Sequence, residues 1–357
     1  MRYIPRNCIR EDAILARPIY GDNGKVLLSE GVKMNQAYID RLAFCGINGV
    51  YIHDSVSCDL EIKSVITEEV KATTLSQLTD VFNLAGEGKD SDLNARQLLK
   101  TAEKLVNDIV KNNDVMLNLF DIKTYDNYTY FHCMDAAILS ITIALEMEYS
   151  MKDMVQLAFS ALLHDIGKVF VDSEIVNKKG KLDAEEMKEM QKHPKEGYNH
   201  VRENFHGTIS MQTARGILDH HEREDGSGYP NKLKGNEISD FGKIIAVADV
   251  YDALVSDRPY RKAVFPLEAI EYIKGSGGSS FNFEVVEAFS KKIAPFPVGT
   301  CVKLSDNSIA LVSENFKSYA QRPKVKVFME NDKEITPYYL NLKDEAYNVT
   351  VVSTVEV

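Results

Sequence analysis

The spacing of apolar positions changes twice along this chain, and each change marks a different architecture. From Met1 to about Ser55 the apolar residues come in short β-prone runs, Ala13 to Tyr20, Lys25 to Leu28 and Gly49 to His53. The turn signal Asp22-Asn23-Gly24 separates the first two, and a helix is predicted over Asn35 to Ala43. From about Glu61 to Asn118 the period lengthens. Ala95, Leu98, Leu99, Ala102, Leu105, Val106, Ile109 and Val110 follow the i, i+3, i+4, i+7 rule of an amphipathic helix, and Gly86 to Asp92 breaks it from a helix before. Such a pair is a signalling or dimer helix or packs on the next domain; periodicity does not distinguish the two. A helical body follows, with helices predicted over Tyr130 to Met147, Met151 to Lys168, Ala184 to Lys192, Pro194 to Glu203, Ser210 to His220, Asp240 to Ser256, Pro266 to Lys274 and Phe283 to Ile293. Beyond Pro295 and Pro297 the runs are β-prone again: Cys301 to Leu304, Ile309 to Ser313, Val325 to Met329 and Val349 to Val355.

The expected fold is multidomain and mainly α: a small N-terminal α/β module (1–56), a helical connector (57–118), an all-α body (119–296) and a small β-rich C-terminal domain (297–357).

Composition narrows the class. With 44% hydrophobic and 27% charged residues, the 357-residue chain reads as globular. Its longest uncharged apolar runs, such as Ala136 to Leu145, are about half a membrane span. Met1 to Arg10 has no apolar stretch behind its arginines, so no signal peptide is expected and the cytoplasm is the expected location. The five cysteines form no C-x-x-C pair and read as reduced thiols. A net charge of -11 disfavours coating duplex nucleic acid, yet leaves room for a small anionic substrate held by local cations.

The chemistry concentrates in one interval. Seven of the eight histidines lie between positions 132 and 221, about a quarter of the chain. Imidazole suits iron, zinc, nickel or copper better than magnesium or calcium. His164-Asp165 ends an apolar helix, where buried polar groups need partners, and Asp249 sits among Ile244, Ile245, Ala246, Val247, Ala248 and Val250. His132 lies on an apolar helix, His193 precedes Pro194, and His220-His221 ends an amphipathic helix before a bend at Asp225-Gly226-Ser227-Gly228. Each alone has an ordinary reading as a core or surface residue. Together they fit a two-metal site, with Asp165 spanning both ions, His132, His164 and Asp249 completing one, and His193, His220 and His221 the other. Two cations about 3.5–4 Å apart share a hydroxide and stabilise in-line displacement at phosphorus. Lys168, one turn after His164, is placed to reach a substrate phosphate. His53 and His200 read as surface residues, His206 carries no role, and Glu222 reads either as orienting a ligand imidazole or as part of a solvated run.

These motifs carry a resemblance. His164-Asp165-Ile166-Gly167-Lys168, His220-His221-Glu222-Arg223 with Asp225-Gly226-Ser227-Gly228-Tyr229-Pro230, and Ala248-Asp249-Val250-Tyr251-Asp252-Ala253-Leu254 with Arg258-Pro259-Tyr260-Arg261 resemble the HD-GYP phosphodiesterases of bacteria over about half the chain. The resemblance implies hydrolysis of cyclic di-GMP to linear pGpG, with GMP as a slower second product, on two iron or manganese ions. It implies metal ligands at His132, His164, Asp165, His193, His220, His221 and Asp249. Lys168, with Asp165 a catalytic position, would hold and polarise the scissile phosphate, and Tyr229, Asp252, Arg258 and Arg261 match substrate contacts. Two departures stand out. Tyr128 occupies the position where some members carry a glutamate for a third metal, so a third ion is not expected. Phe281-Asn282-Phe283 replaces the usual Phe-Asp-Pro, which would alter a helix start without touching chemistry. The alternatives are a catalytically silent cyclic-dinucleotide receptor and an HD phosphohydrolase acting on another nucleotide. A homodimer or a signalling partner is expected through the N-terminal module and connector.

Overall fold

A computed structural model describes the chain apart from residues 21–25, 45, 46, 48, 61, 90, 91, 114, 115, 117–127, 179, 206, 257–263, 318, 356 and 357. It divides into two compact units. One gathers Met1–Val65, Asp114–Tyr128 and Ile293–Val357, the other Ile66–Asn113 and Thr129–Lys292.

In the first unit, β1 (Arg2–Pro5), β2 (Ile14–Leu15) and β5 (Gly49–His53) form an antiparallel sheet of order β1-β5-β2. β3 (Ile19–Tyr20) pairs with β4 (Val26–Leu28), and α1 (Gln36–Phe44) lies between β4 and β5 in sequence. Leu15, Met34, Leu42, Ile47 and Val50 share one core. The C-terminal strands β6 (Cys301–Leu304), β7 (Ile309–Glu314), β8 (Lys324–Glu330), β9 (Lys333–Asn341) and β10 (Val351–Thr354) make a second antiparallel sheet, ordered β10-β6-β7-β8-β9. The segments expected as separate N- and C-terminal modules are joined here by a shared apolar cluster, Leu60 with Cys301, Leu311 and Phe328. Lys326 Nζ adds hydrogen bonds to Asp59 Oδ1 at 2.6 Å and to the Val56 carbonyl at 2.8 Å. His53 is exposed at the end of β5.

The second unit is helical: α2 (Glu68–Gly86), α3 (Asp92–Lys111), α4 (Tyr128–Glu146), α5 (Met151–Leu163), α6 (Ser173–Val176), α7 (Ala184–Met190), α8 (His193–Asn204), α9 (Met211–Asp219), α10 (Asp240–Val255), α11 (Pro266–Gly275) and α12 (Phe283–Lys292). Thr67 caps α2, Ser150 caps α5 and Ser239 caps α10, each hydroxyl accepting a backbone N–H of the first turn. The apolar stripe of α3, with Leu98, Ala102, Leu105 and Val106 buried, packs against α2 and α5. The helical pair therefore spends its stripe within this unit. Asn282 accepts from the Glu284 and Val285 amides and so starts α12 itself, the local effect expected of Phe281-Asn282-Phe283. Among the described residues no helix is long and apolar enough to cross a membrane.

One helix is shorter than its pattern predicts. α5 stops at Leu163, and a 3-10 turn follows over Ile166–Phe170. The break comes where His164 and Asp165 turn away from the regular ladder. In a 3-10 turn residues i and i+3 eclipse, which lines Lys168 up with Asp165 rather than with His164.

Candidate metal centre

The ends of three helices, the second turn of a fourth and the middle of a fifth converge. α4 supplies His132, the end of α5 supplies His164 and Asp165, α8 opens with His193, α9 is followed by His220 and His221, and α10 supplies Asp249. Among the described residues three sets of potential ligand atoms each lie within 4.8 Å of one another: His132, His164 and Asp249; His193, His220 and His221; and Cys133, His164 and Asp165. The first two group the side chains as the sequence reading did. Asp165 reaches both: its Oδ1 is 3.3 Å from His193 Nε2, and its Oδ2 is 3.5 Å from His164 Nε2 and 3.8 Å from His132 Nε2.

Backbone geometry makes the convergence possible. α9 ends at Asp219, so His220 and His221 are freed from the roughly 100° helical divergence, and their ring centroids lie 4.1 Å apart. Gly167 sits against the start of α8. A Cβ there would strike the His193 carbonyl oxygen and approach the Gly197 nitrogen to 2.6 Å, so only glycine brings the His164-Asp165 turn this close to His193. At Gly228 a Cβ would meet the Arg223 nitrogen, the Glu222 Cα and the His221 carbonyl oxygen, each at 2.5 Å. The loop thus folds back onto the His220–Arg223 turn, and the Tyr229 ring stacks on His221 with centroids 4.6 Å apart. Glu222 secures the return: its buried carboxylate accepts the Asn231 amide at 2.7 Å and the Leu233 amide at 3.0 Å. It is neither solvated nor in contact with a ligand ring.

The tautomers follow from the second ring nitrogen. His164 Nδ1 lies 2.8 Å from the Ala161 carbonyl, His193 Nδ1 2.7 Å from Met190 and His220 Nδ1 2.7 Å from Ile217. A carbonyl only accepts, so each Nδ1 carries the proton and each Nε2 presents a lone pair inward. The Nε2 atoms of His193 and His220 face each other at 3.3 Å, and His164 Nε2 is buried without a hydrogen-bond partner. Converging lone pairs in a buried site are costly unless a cation lies among them. The donor set of imidazoles and carboxylates fits a transition metal.

The electrostatics agree. Burial pushes His193 down to about 4, and it also lowers His164, His220 and His221, with neighbouring imidazoles adding to the effect. All four are neutral donors at neutral pH. Burial alone would raise Asp165, but Lys168 and the surrounding imidazoles hold it well below the usual carboxylate range; Lys168 Nζ donates to Oδ2 at 2.5 Å. His132 differs. Burial opposes its charge, yet hydrogen bonds with Asp249 and Asp252 bring it to about 9.

A depressed histidine favours the folded state fully above its unfolded value of ~6.5. That contribution is lost as pH falls toward the folded value. In metal-free protein the melting temperature is therefore expected to drop by several degrees between pH 6.5 and 4, since about 1 kcal/mol moves it by ~2–4 °C at this size. His193→Gln should show a smaller drop over the same window. Equal drops in parent and variant, measured by circular dichroism, would refute the assignment.

Some expected positions are placed differently. Asp252 was expected to contact substrate, but its side chain is 1% exposed and lies behind His132, with Oδ2 2.7 Å from Nδ1. His200 was expected at the surface; it is packed beside Phe170 and Phe205. Arg258, Arg261 and His206 lie outside the described residues, as does the side chain of Tyr128. Cys133 was not anticipated: its thiol falls within 4.8 Å of ligand atoms of His164 and Asp165, and burial holds it protonated. Its only signal in the sequence is its place next to His132.

The model of the HD domain family matches residues 104–285, just over half of the chain. The chain belongs to the HD domain family. Its HD domain is similar to cyclic di-GMP phosphodiesterase PA4108 of Pseudomonas aeruginosa, 36% identical over 220 residues that cover 62% of this chain and 52% of that protein. It is also similar to 3'3'-cGAMP-specific phosphodiesterase 3 of Vibrio cholerae, 34% identical over 171 residues, 48% of this chain and 36% of that protein. The chain thus spans about half the length of the first of these relatives or less of the second. Among solved structures, Bd1817, an HDG"Y"P protein from Bdellovibrio bacteriovorus, superposes with a TM-score of 0.55 at 19% identity, covering 81% of this chain and 97% of that one. That likeness establishes the HD-type fold.

Proposed function

We propose that this HD domain protein is a metal-dependent phosphodiesterase that opens cyclic di-GMP to linear pGpG. The observation that carries the reading is the meeting of two three-residue groups, His132/His164/Asp249 and His193/His220/His221, across the carboxylate of Asp165. Two divalent ions, iron or manganese, fit this donor set and would supply Lewis acidity and an activated water for attack at phosphorus. The protein's own groups do the rest. Asp165 is held ionised and central by Lys168, which is partly exposed and can turn its ammonium to a phosphate oxygen. Tyr229, stacked on His221 and only half-buried, offers its ring at the rim for a base. Arg258 and Arg261 are proposed as guanine or phosphate contacts on the strength of their forked donors. The names of the relatives support a cyclic dinucleotide, and the cyclic GMP-AMP enzyme gives a second substrate to weigh.

The test is anaerobic incubation of Fe(II)- or Mn(II)-loaded protein with cyclic di-GMP and, in parallel, 3'3'-cGAMP, resolving products by chromatography. Accumulation of pGpG with little GMP, faster from cyclic di-GMP, is expected. Preference for cyclic GMP-AMP would replace the substrate, and binding without turnover under either metal would replace the enzyme with a receptor.

A further inference from the structure

Four imidazoles of the centre have their Nδ1 atoms held from behind, and the holders are not alike. Those of His164, His193 and His220 donate to neutral backbone carbonyls three residues earlier. His132 instead faces a carboxylate: Asp252 Oδ2 at 2.7 Å, with Ser256 Oγ donating to Asp252 Oδ1 at 3.3 Å. Both His132 and Asp252 are buried, at 2% and 1% exposure. The arrangement is set by α10, whose i, i+3 spacing puts Asp249 and Asp252 on one face. His132 is clamped between them, with Nε2 3.1 Å from Asp249 Oδ1 and Nδ1 on Asp252.

We infer that Asp252 is a positioning residue for one ion only: through His132 it makes the His132/His164/Asp249 group the tighter of two cation sites. A carboxylate behind an imidazole fixes its orientation and makes the opposite nitrogen a better donor. The His132 group has Asp249 as a direct ligand and Asp252 behind it. The His193/His220/His221 group has three imidazoles, two of them held by carbonyls; besides the shared Asp165, its nearest carboxylate is Asp249, whose Oδ2 is 3.8 Å from His221 Nδ1, against 3.1 Å from Asp249 Oδ1 to His132 Nε2. The first site is therefore the more anionic and the better oriented. The inference rests on the proposed occupancy of both groups by cations.

The experiment titrates the metal-free 357-residue chain with Mn(II) by calorimetry and counts ions after gel filtration, for the parent and for Asp252→Ala, Asp252→Asn and Ser256→Ala, with thermal melts alongside. The parent is expected to take up two ions of unequal affinity. Asp252→Ala should weaken the tighter by about 10–100-fold and leave the other unchanged. Asp252→Asn, whose amide oxygen still accepts from Nδ1, should fall between, and Ser256→Ala closest to the parent. In a His193→Ala background, Asp252→Asn should weaken the one remaining ion. Parent-like affinity at both sites in Asp252→Ala overturns the inference. So does equal weakening of both ions in Asp252→Asn, which decides the matter if the alanine variant fails to fold. A parent that takes up fewer than two ions overturns the two-ion reading beneath it, an outcome distinct from two ions indifferent to Asp252.

Discussion

Asp165→Ala is expected to abolish turnover of cyclic di-GMP while leaving the fold in place. Asp165 lies 3.3–3.8 Å from imidazoles of both groups, His132 and His164 on one side and His193 on the other. Removing it separates the two groups and releases Lys168, so several catalytic contributions fail as one. A fall of at least about a thousandfold in kcat/KM, ~4 kcal/mol in the barrier, is a conservative figure. The folded state should tolerate the loss, because the buried carboxylate makes no hydrogen bond that bridges the surrounding helices except through the imidazoles. The check is product formation by chromatography together with circular dichroism melts and metal content. Unchanged turnover would remove Asp165 from the site; a collapsed melt would show that the carboxylate holds the fold instead.

The second large effect belongs to a residue without chemistry of its own. Gly167→Ala places a Cβ against the backbone of His193 and Gly197, neither of which is the movable end of a side chain. The α5 end and the start of α8 must then part. Overpacking of this kind costs about 1–3 kcal/mol, and a parting of even ~1 Å takes His193 out of range of His220 and Asp165. Urea denaturation should show the lower midpoint, and metal analysis should show the ion bound by His193, His220 and His221 depleted before the other. A variant with parental midpoint and parental metal content would mean that the close approach has no bearing on the centre.

Much of this was legible because burial and periodicity coincide in the helical unit. Every helix predicted between Tyr130 and Ile293 has its counterpart, and the ends shift where a ligand interrupts the ladder, as at His164. The clustering of these side chains was legible for a related reason: polar residues at apolar positions, His132 in α4 and Asp249 in α10, announce partners they cannot lack. Other features had no such signal. β9 is polar, largely exposed and carries Pro337, so nothing in its pattern alternates; it sits at a sheet edge, where a proline is tolerated. Asp252 shares a helical face with Asp249, but a face does not reveal which side of His132 its carboxylate meets. His200 reads as a surface histidine because Phe170, one of the two phenylalanines that cover it, comes from a turn thirty residues earlier, and Phe205 closes over it only from beyond the end of α8. The joining of residues 1–65 with 293–357 rests on contacts such as Leu60 with Leu311, which no local spacing encodes.

That last feature has a temporal side. A ribosome delivers all of the helical unit before it delivers the partners of Leu60 and Asp59, which lie beyond residue 293. At ~5–20 residues per second, the 227 residues between 65 and 293 take on the order of 10–50 s to emerge. For that interval the β1-β5-β2 sheet and its core are complete, but Asp59 and Leu60 lack the partners they meet later, while the helices, whose contacts are mostly made with segments already synthesised, are free to pack together. Nascent chains halted near residue 293 should accordingly resist protease across the helices and be cut around Asp59 and Leu60.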